Sequence, residues 1–446
     1  MSATGYTALS AGGRESPEAL SRADTDEEVS PGDIAVGVII GRSSEYFDFF
    51  VFGIACVLVF PALLFPSFSR LDGTLASFAI FSLAFIARPF GTAISMAVQR
   101  RWGRATKLTL ALFLLGTSTV GMAFLPGYQS LGIWAIVLFA VLRIGQGLAL
   151  GGSWDGLPSL LAISAPRERR GWYSMLGQLG APVGFFMAAG LFAYVYENMS
   201  AEEFLSWGWR FPFFVAFAIN VVALFARLRL VVGQSFSHLL HQNELEPVKA
   251  SEVVANEGRN VVIGAFAALA SFALFHLVTI FPLSYIELYS EQPVGDVLRV
   301  QMLGAAAACV AMVASGWLAD RFGRRNTLGT MAALICVFSF VGPGLLGNGQ
   351  GGNNTFLIVG FILLGLSYGQ ASGTVTANFT PRYRYTGAAL SADMAWLVGA
   401  AFAPLVALAV SARFGLFGLG IYLLSGGICT LAALAINRAI EARDSE

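Results

Sequence analysis

The sequence predicts an all-α membrane protein in which twelve transmembrane helices form two six-helix, pseudo-symmetric halves. Three observations lead to this prediction: the composition, the number of long apolar stretches, and a repeated loop pattern. Hydrophobic residues make up 56% of the 446 residues and charged residues only 12%, whereas a soluble domain usually has about 25% charged residues. So little charge cannot cover the surface of a soluble chain of this length, and a soluble enzyme is therefore excluded.

The apolar stretches are long enough to cross a bilayer, because a transmembrane helix needs about 20 mainly apolar residues. Six such stretches lie in the first half of the chain and six in the second. They are predicted at about 34–64, 74–98, 106–125, 131–164, 171–196 and 210–231, and then at about 260–286, 296–318, 326–345, 355–376, 385–411 and 415–437.

The charges between these stretches predict the orientation in the membrane. Alternate connections carry most of the basic residues, and the positive-inside rule assigns these connections to the cytoplasm. Both termini are then cytoplasmic, which agrees with an even number of spans. The basic connections include Arg100, Arg101, Arg104, Lys107, Arg167, Arg169, Arg170, Arg227, Arg229, Arg321, Arg324, Arg325, Arg382, Arg384 and Arg438.

Three polar segments flank or join the two predicted bundles, which cover residues 34–231 and 260–438. Residues 1–33 lack the basic start and the apolar run of a signal peptide and are predicted to be a disordered cytoplasmic tail. Residues 232–259 are predicted to be a cytoplasmic linker between the bundles. Residues 439–446 are predicted to be a short cytoplasmic tail.

Two loop patterns repeat between the halves. Arg101-Trp102-Gly103-Arg104 follows the second stretch and Arg321-Phe322-Gly323-Arg324 follows the eighth, at an offset of 323 − 103 = 220 residues. Pro166-Arg167 and Pro381-Arg382 follow the fourth and tenth stretches, at an offset of 381 − 166 = 215 residues. Similar offsets at matching positions indicate duplication of a six-helix unit, an organisation common among secondary transporters.

Residue patterns that carry enzyme chemistry are scarce. The four cysteines lie singly in apolar runs without metal-ligand spacing, and only three histidines occur. No phosphate-binding glycine loop or nucleophile elbow is recognisable. The sequence therefore predicts no enzyme, no catalytic residue, no metal, no cofactor and no nucleic-acid partner.

Several motifs link the sequence to a known family. Gly316 with Asp320-Arg321-Phe322-Gly323-Arg324-Arg325, and Arg143-Ile144-Gly145-Gln146-Gly147, are typical of the major facilitator superfamily. More specific are Glu45-Tyr46-Phe47-Asp48-Phe49, Ala87-Arg88-Pro89-Phe90-Gly91 and Arg384-Tyr385-Thr386-Gly387-Ala388. Over about residues 34–438 the chain resembles that superfamily and, within it, the metabolite:proton symporter family.

The resemblance implies a monomeric inner-membrane carrier that moves a small organic anion or zwitterion together with protons by alternating access. It also implies that Arg143 links proton and substrate binding. The cytoplasmic loops implied to gate the cavity contain Asp320, Arg321, Gly323, Arg324, Arg101, Gly103 and Arg104.

Three positions depart from the family pattern. Arg100 replaces the acid of the first-half loop, Ser153 replaces a glutamate in the fourth stretch, and Ala377 replaces an acid in the tenth. Asp155 does not simply take the place of the missing glutamate, because two positions on a helix point about 200° apart.

Three acids are predicted to take part in proton coupling. Glu45 and Asp48 lie three residues apart and hence on one face of the first helix, and two neighbouring carboxylates in a low dielectric do not both ionise easily. Asp155 is a second protonation site, a gate residue or only a polar cap. For Glu45 and Asp48 the alternative is a structural ion pair with a nearby arginine.

The substrate site is predicted among the other polar and aromatic residues of the helices, since ionisable residues in a membrane usually face a cavity or a partner. Arg88 and Arg143 present a planar fork that fits a carboxylate of either a substrate or the protein. For His276 a hydrogen-bonded structural role remains open. The predicted set is Arg143, Arg88, Gln146, Trp154, Gln178, His276, Tyr368, Gln370, Asp393 and Trp396.

The function predicted first is proton-coupled symport of a small organic acid or zwitterionic metabolite. The altered positions Arg100, Ser153 and Ala377 favour a second hypothesis, an uncoupled facilitator or exporter with the same fold. A membrane sensor that has lost transport is the third.

Overall fold

The computed structural model describes residues 31–153, 161, 165–232, 246–371 and 379–437, and within these ranges the chain is helical without strands. Ten helical segments are long and apolar enough to cross a membrane. One of them, Arg70–Phe124, bends at Gly103 and contains two spans. The first helix, Pro31–Leu58, is not among the ten because Arg42, Glu45 and Asp48 lie within it. With these two additions the described residues contain the twelve predicted spans.

The helices of the first half are α1 to α9. Their bounds are α1 (Pro31–Leu58), α2 (Phe60–Leu64), α3 (Arg70–Phe124), α4 (Tyr128–Leu131), α5 (Ile133–Gly152), α6 (Arg170–Leu176), α7 (Gly180–Asn198), α8 (Ala201–Glu203) and α9 (Arg210–Val232).

The helices of the second half are α10 to α18. Their bounds are α10 (Ala250–Ala267), α11 (Leu269–Thr279), α12 (Phe281–Tyr289), α13 (Val294–Phe322), α14 (Arg324–Leu345), α15 (Gly349–Tyr368), α16 (Pro381–Ala395), α17 (Ala403–Phe414) and α18 (Phe417–Ile436). α10 begins inside the segment predicted as a linker, whose residues 233–245 lie outside the described part of the chain.

The two repeated loops have the same backbone conformation. Gly103 has φ 85° and Gly323 has φ 84°, a region that side-chain-bearing residues rarely adopt. Each glycine reverses the chain between two consecutive spans, which is the position that the 220-residue repeat predicts. We call the end of the bundle that holds these two turns the Arg-loop end.

Several predicted continuous helices are interrupted. Pro61 and Pro404 lack a backbone N–H donor, so the first and eleventh spans break near them. The seventh span breaks at Ala268, where Thr430 of α18 accepts the N–H of Ala270 (2.8 Å) and donates to the carbonyl of Phe266 (3.1 Å). The fifth span breaks at residues 177–179, between α6 and α7.

Close backbone packing joins α3 and α5 in the first half. A Cβ atom at Gly147 would overlap the carbonyl of Ala84, and one at Gly91 would overlap the carbonyl of Leu148. Small residues allow the two backbones to approach closely. Within a membrane, packing of this kind holds helices together because no hydrophobic effect acts between them. The contact fixes the position of α5 relative to the first arm of α3.

The two halves contact each other at both ends of the bundle. At the Arg-loop end, Asp320 of α13 accepts the backbone N–H groups of Gly171 (2.6 Å) and Trp172 (3.2 Å) on α6. At the opposite end, Arg299 of α13 pairs with Glu197 of α7 at 3.0 Å. Among the described residues the interface is therefore bridged on both sides of the centre.

Candidate functional site

A cavity lies at the interface between the two halves. The second half contributes the indole of Trp396, which opens the π-helical turn Trp396–Ala400. The first half contributes two arginines, an acid, a phenol and two phenylalanines. The lining consists of Arg42, Glu45, Tyr46, Phe49, Phe85, Arg88, Leu150 and Trp396.

Glu45 is neutralised inside the first half. Its carboxylate pairs with Arg42, one turn earlier on α1, at 2.9 Å, and with Arg227 of α9 at 2.5 Å. Arg227 also donates to the carbonyl of Ser153 at 2.7 Å. From the sequence, Arg227 is one of the basic residues that predict the orientation in the membrane. Its neighbours along the chain give no sign that its partner lies 182 residues away.

Asp48 lies on the same face of α1 but has different partners. The hydroxyl of Thr119 is 2.8 and 2.9 Å from its two oxygens. The amide of Gln146 lies 3.4 to 3.5 Å from the same carboxylate and 2.9 Å from the Thr119 hydroxyl. No cationic side chain among the described residues lies within ion-pairing distance of Asp48. The buried carboxylate is thus held by neutral donors alone.

Arg143 is fully buried on α5 and is only partly hydrogen-bonded. Its Nη1 donates to Gln146 at 2.9 Å and its Nε to the carbonyl of Phe81 at 3.2 Å. Its guanidinium lies 4.0 Å from the ring centroid of Phe52. Its Nη2 has no hydrogen-bond partner among the described residues. The salt bridge to Glu45 or Asp48 that the sequence left open is not formed.

Arg88 instead forms an ion pair between the halves. Its Nε lies 2.8 Å from Oδ1 of Asp393 on α16, and Thr92 donates to Oδ2 of the same carboxylate at 2.5 Å. The guanidinium also lies 5.7 Å from the ring centroid of Trp396. These residues connect α3 to the eleventh span directly beside the cavity.

His276 is fully buried on α11 inside a cluster of aromatic rings. It stacks on Phe49 at 5.3 Å between ring centroids and meets Phe81 edge-on at 5.2 Å. Phe85 and Trp396 lie at 5.9 and 6.1 Å. Neither ring nitrogen has a hydrogen-bond partner in the part of the chain that is described, so the hydrogen-bonded structural role is not observed.

Three other predicted site residues lie near the interface. Tyr368 shares a 2.5 Å hydrogen bond with Tyr46 across the halves. Gln370 donates to the carbonyl of Gly171 at 3.2 Å. Gln178 is buried in the break between α6 and α7. Tyr46 belongs to a family motif and lies between the two acids of α1, but it is not among the predicted site residues.

The arginines of the two loops have unequal surroundings. In the second half Arg324 is buried, and Arg321 stacks on Trp317 at 5.3 Å. In the first half Arg101 stacks on its neighbour Trp102 at 5.1 Å, and the Nε of Arg104 is buried without a hydrogen-bond partner among the described residues.

Where the first-half loop lacks its acid, other contacts bridge the halves. Arg100 donates to the carbonyl of Val248 at 3.1 Å, and the N–H of Val248 donates to Thr386 of α16 at 3.0 Å. The hydroxyl of Tyr385 lies 3.1 Å from both Gln99 and Lys107. Although Arg100 replaces the acid of the family pattern, the two halves are still in contact at this loop through other residues.

Trp154, Asp155 and Ala377 lie outside the described residues. Within the described ranges no group of histidine, cysteine and acidic side chains could hold a metal ion.

The described residues form twelve spans in two halves. A cavity lies between the halves, and contacts bridge them on both sides of it. This arrangement is that of a membrane transporter.

The family model for sugar (and other) transporters matches residues 34–273. The inner membrane metabolite transport protein YhjE of Escherichia coli (strain K12) is 35% identical, covering 93% of this chain and 96% of that protein. The shikimate transporter of the same organism is 31% identical, covering 92% and 94%. A solved D-xylose-proton symporter has the same fold, with a TM-score of 0.68 at 17% identity over 91% of this chain and 97% of that one.

The chain belongs to the sugar (and other) transporter family of the major facilitator superfamily. It is a multi-pass inner-membrane transporter and not an enzyme, as the sequence predicts.

Proposed function

We propose that this protein is a proton-coupled symporter of a small organic acid or zwitterionic metabolite, and that Asp48 takes the coupling proton. The substrate class is supported by the similarity to a shikimate transporter, since shikimate is a small monocarboxylic acid. The Arg-loop end then faces the cytoplasm, in line with the arginine-rich connections, and the protein works as a monomer.

The observation that carries the proposal is the contrast between the two acids of α1. Glu45 is held by Arg42 and Arg227, so protonating it would weaken two ion pairs. Asp48 is buried among Thr119 and Gln146 and has no ion-pair partner in the described part of the chain. Burial without a counter-charge penalises the ionised carboxylate. Asp48 can therefore gain and lose a proton at a lower cost to the surrounding structure.

Arg143 provides a route from the proton to the substrate. It shares Gln146 with Asp48, because that side chain accepts from Arg143 and donates toward the carboxylate. Protonation of Asp48 weakens its contact with Gln146, because a neutral carboxyl group accepts a hydrogen bond less strongly than a carboxylate. Gln146 would then hold the guanidinium of Arg143 less firmly. The protonation state of Asp48 would thus affect the position of Arg143 at the centre of the bundle.

The experiment that tests the proposal is uptake into proteoliposomes that contain the purified protein. Labelled shikimate, citrate, proline and glycine betaine are supplied with and without an inward proton gradient. Wild type is expected to concentrate one acid or zwitterion only with the gradient. Asp48→Asn is expected to lose accumulation and to keep exchange, while Asp72→Asn, an exposed acid at the start of α3, accumulates normally.

The uncoupled facilitator remains the second candidate because of Arg100, Ser153 and Ala377. Wild type that equilibrates a substrate but does not concentrate it would establish the facilitator and refute the coupling role of Asp48.

A further inference from the structure

Among the described residues, two buried side chains near the centre of the bundle, one from each half, have nitrogen atoms without hydrogen-bond partners. They are Nη2 of Arg143, from the first half, and both ring nitrogens of His276, from the second half. Neither side chain is more than 1% exposed. A buried polar atom without a hydrogen bond costs about 1–3 kcal/mol, so native proteins rarely keep such atoms unless they serve another state. We call Arg143 and His276 the unpartnered pair.

The unpartnered pair is gathered around the same two rings. The guanidinium of Arg143 lies 5.5 Å from the centroid of Phe49 and 4.9 Å from that of Phe81. The imidazole of His276 lies 5.3 and 5.2 Å from the same two centroids. Donors from opposite halves of the transporter thus converge on one small aromatic region.

Three side chains separate the unpartnered pair from the cavity. Phe49, Phe85 and Trp396 line the cavity and also contact His276. We call these three the aromatic partition. A rotamer change at Phe49 or Phe85 would join the cavity to the space around the unpartnered pair. Such changes are small compared with the movement of the halves during transport.

We propose that the unpartnered pair is a carboxylate subsite, which a bound substrate reaches when the aromatic partition opens. A guanidinium that already donates through Nε and Nη1 has Nη2 free for one further acceptor. The imidazole offers a second donor from the other half. A carboxylate has two oxygens and can accept from both groups at once, and it would then hold the two halves together through its own atoms.

The charges around the unpartnered pair favour an anionic ligand. Arg143 has no carboxylate partner among the described residues, whereas Arg88 is paired with Asp393 and Arg42 with Glu45. A buried cation that forms no ion pair among the described residues favours an anion over a neutral or zwitterionic group at the same place. The inference rests on the proposed transport of small organic molecules, but it does not depend on proton coupling.

Ligand binding to the detergent-purified protein tests the subsite without any gradient. The probes are acetate, benzoate, succinate, shikimate and citrate, each compared with its methyl ester, and binding is read from the shift in unfolding temperature. Wild type is expected to respond to at least one carboxylate and not to the matching ester. His276→Leu removes one hydrogen bond to the charged carboxylate of the ligand. It should therefore weaken carboxylate binding about 10- to 100-fold.

Two further variants separate ligand binding from folding. His276→Gln keeps a polar donor and is expected to retain part of the response. Ser411→Ala also removes a buried hydroxyl without a hydrogen-bond partner, but on α17 away from the aromatic partition. It is expected to leave the response unchanged.

Ligand-free stability provides an independent readout. Leucine at position 276 removes unsatisfied nitrogens from an apolar cluster, so the ligand-free unfolding temperature should not fall below that of wild type. The proposal is overturned if His276→Leu keeps the full carboxylate response, or if it is less stable than wild type without ligand. It is equally overturned if wild type responds to none of the acids or responds equally to acids and esters.

Discussion

At the scale of single residues, the cavity is organised by charges that find partners far along the chain. Arg88 pairs with Asp393, and Glu45 pairs with Arg227. The sequence identified Arg88, Asp393 and Glu45 as unusual because charge is costly within a membrane. It could not assign their partners, because pairing across the bundle depends on how the helices pack and not on local spacing.

The Arg88–Asp393 ion pair leads to a prediction about stability. Removing one partner of a buried pair leaves an uncompensated charge and costs about 3–5 kcal/mol. Arg88→Met and Asp393→Asn should therefore each lower the unfolding temperature, which tryptophan fluorescence can follow. The double variant should recover most of the loss, because no unpaired charge remains. Strictly additive losses would show that the two residues do not depend on each other.

At the scale of helices, the twelve spans could be predicted, and proline marks most of the interruptions. Length and apolar composition determine that a segment crosses the membrane. Pro61, Pro404 and Pro182, which lies four residues after Gln178, lack a backbone donor and give a visible signal for a break. The break at Ala268 is supported instead by Thr430 from another helix, so a single-sequence reading misses it.

The contact between α3 and α5 leads to a second prediction. Gly147→Ala places a methyl group against the carbonyl of Ala84, which is backbone and cannot move aside like a flexible side chain. Overpacking of this kind costs about 1–3 kcal/mol. It should lower the unfolding temperature and also reduce transport, since α5 carries Arg143 and Gln146.

Gly344→Ala on α14 is the matched control, because no atom lies within contact of the added methyl group. It should preserve both the unfolding temperature and transport. Equal effects of the two substitutions would show that close packing of α3 and α5 is not what fixes the site.

At the scale of the whole molecule, contacts between the halves lie on both sides of the cavity. At the Arg-loop end a partly buried carboxylate, Asp320, receives two backbone N–H groups at the start of α6. At the opposite end the Arg299–Glu197 pair is exposed, and exposed pairs contribute only about 0–1 kcal/mol. Arg70 of α3 also pairs with Glu287 of α12 at that end. Ion pairs thus bridge the opposite end and bonds to backbone N–H groups bridge the Arg-loop end, and alternating access requires one set of contacts to break while the other holds.

This asymmetry predicts which end opens when a contact is removed. Met175 of α6 packs against Gly316 of α13 beneath the Asp320 contact. In a chain whose four cysteines are replaced by alanine, a Met175→Cys thiol should react slowly with a maleimide. Adding Asp320→Ala should accelerate the reaction, because the Arg-loop end then opens more often.

Asp296→Ala provides the control for this labelling, since Asp296 is an acid of the same helix at the opposite end. It should leave the rate at position 175 unchanged or lower it. Equal acceleration by both substitutions would indicate general loosening of α13 rather than opening at one end.

The most direct test of the central claim is to measure proton movement together with substrate movement. Proteoliposomes hold a pH-sensitive dye in weak buffer, and the acid that wild type accumulates is added outside without a pre-formed gradient. Symport through Asp48 predicts that the lumen of wild-type vesicles acidifies as substrate enters, and that Asp48→Asn vesicles exchange substrate without any pH change. Substrate entry without acidification in wild type, or undiminished acidification in Asp48→Asn, would contradict the account.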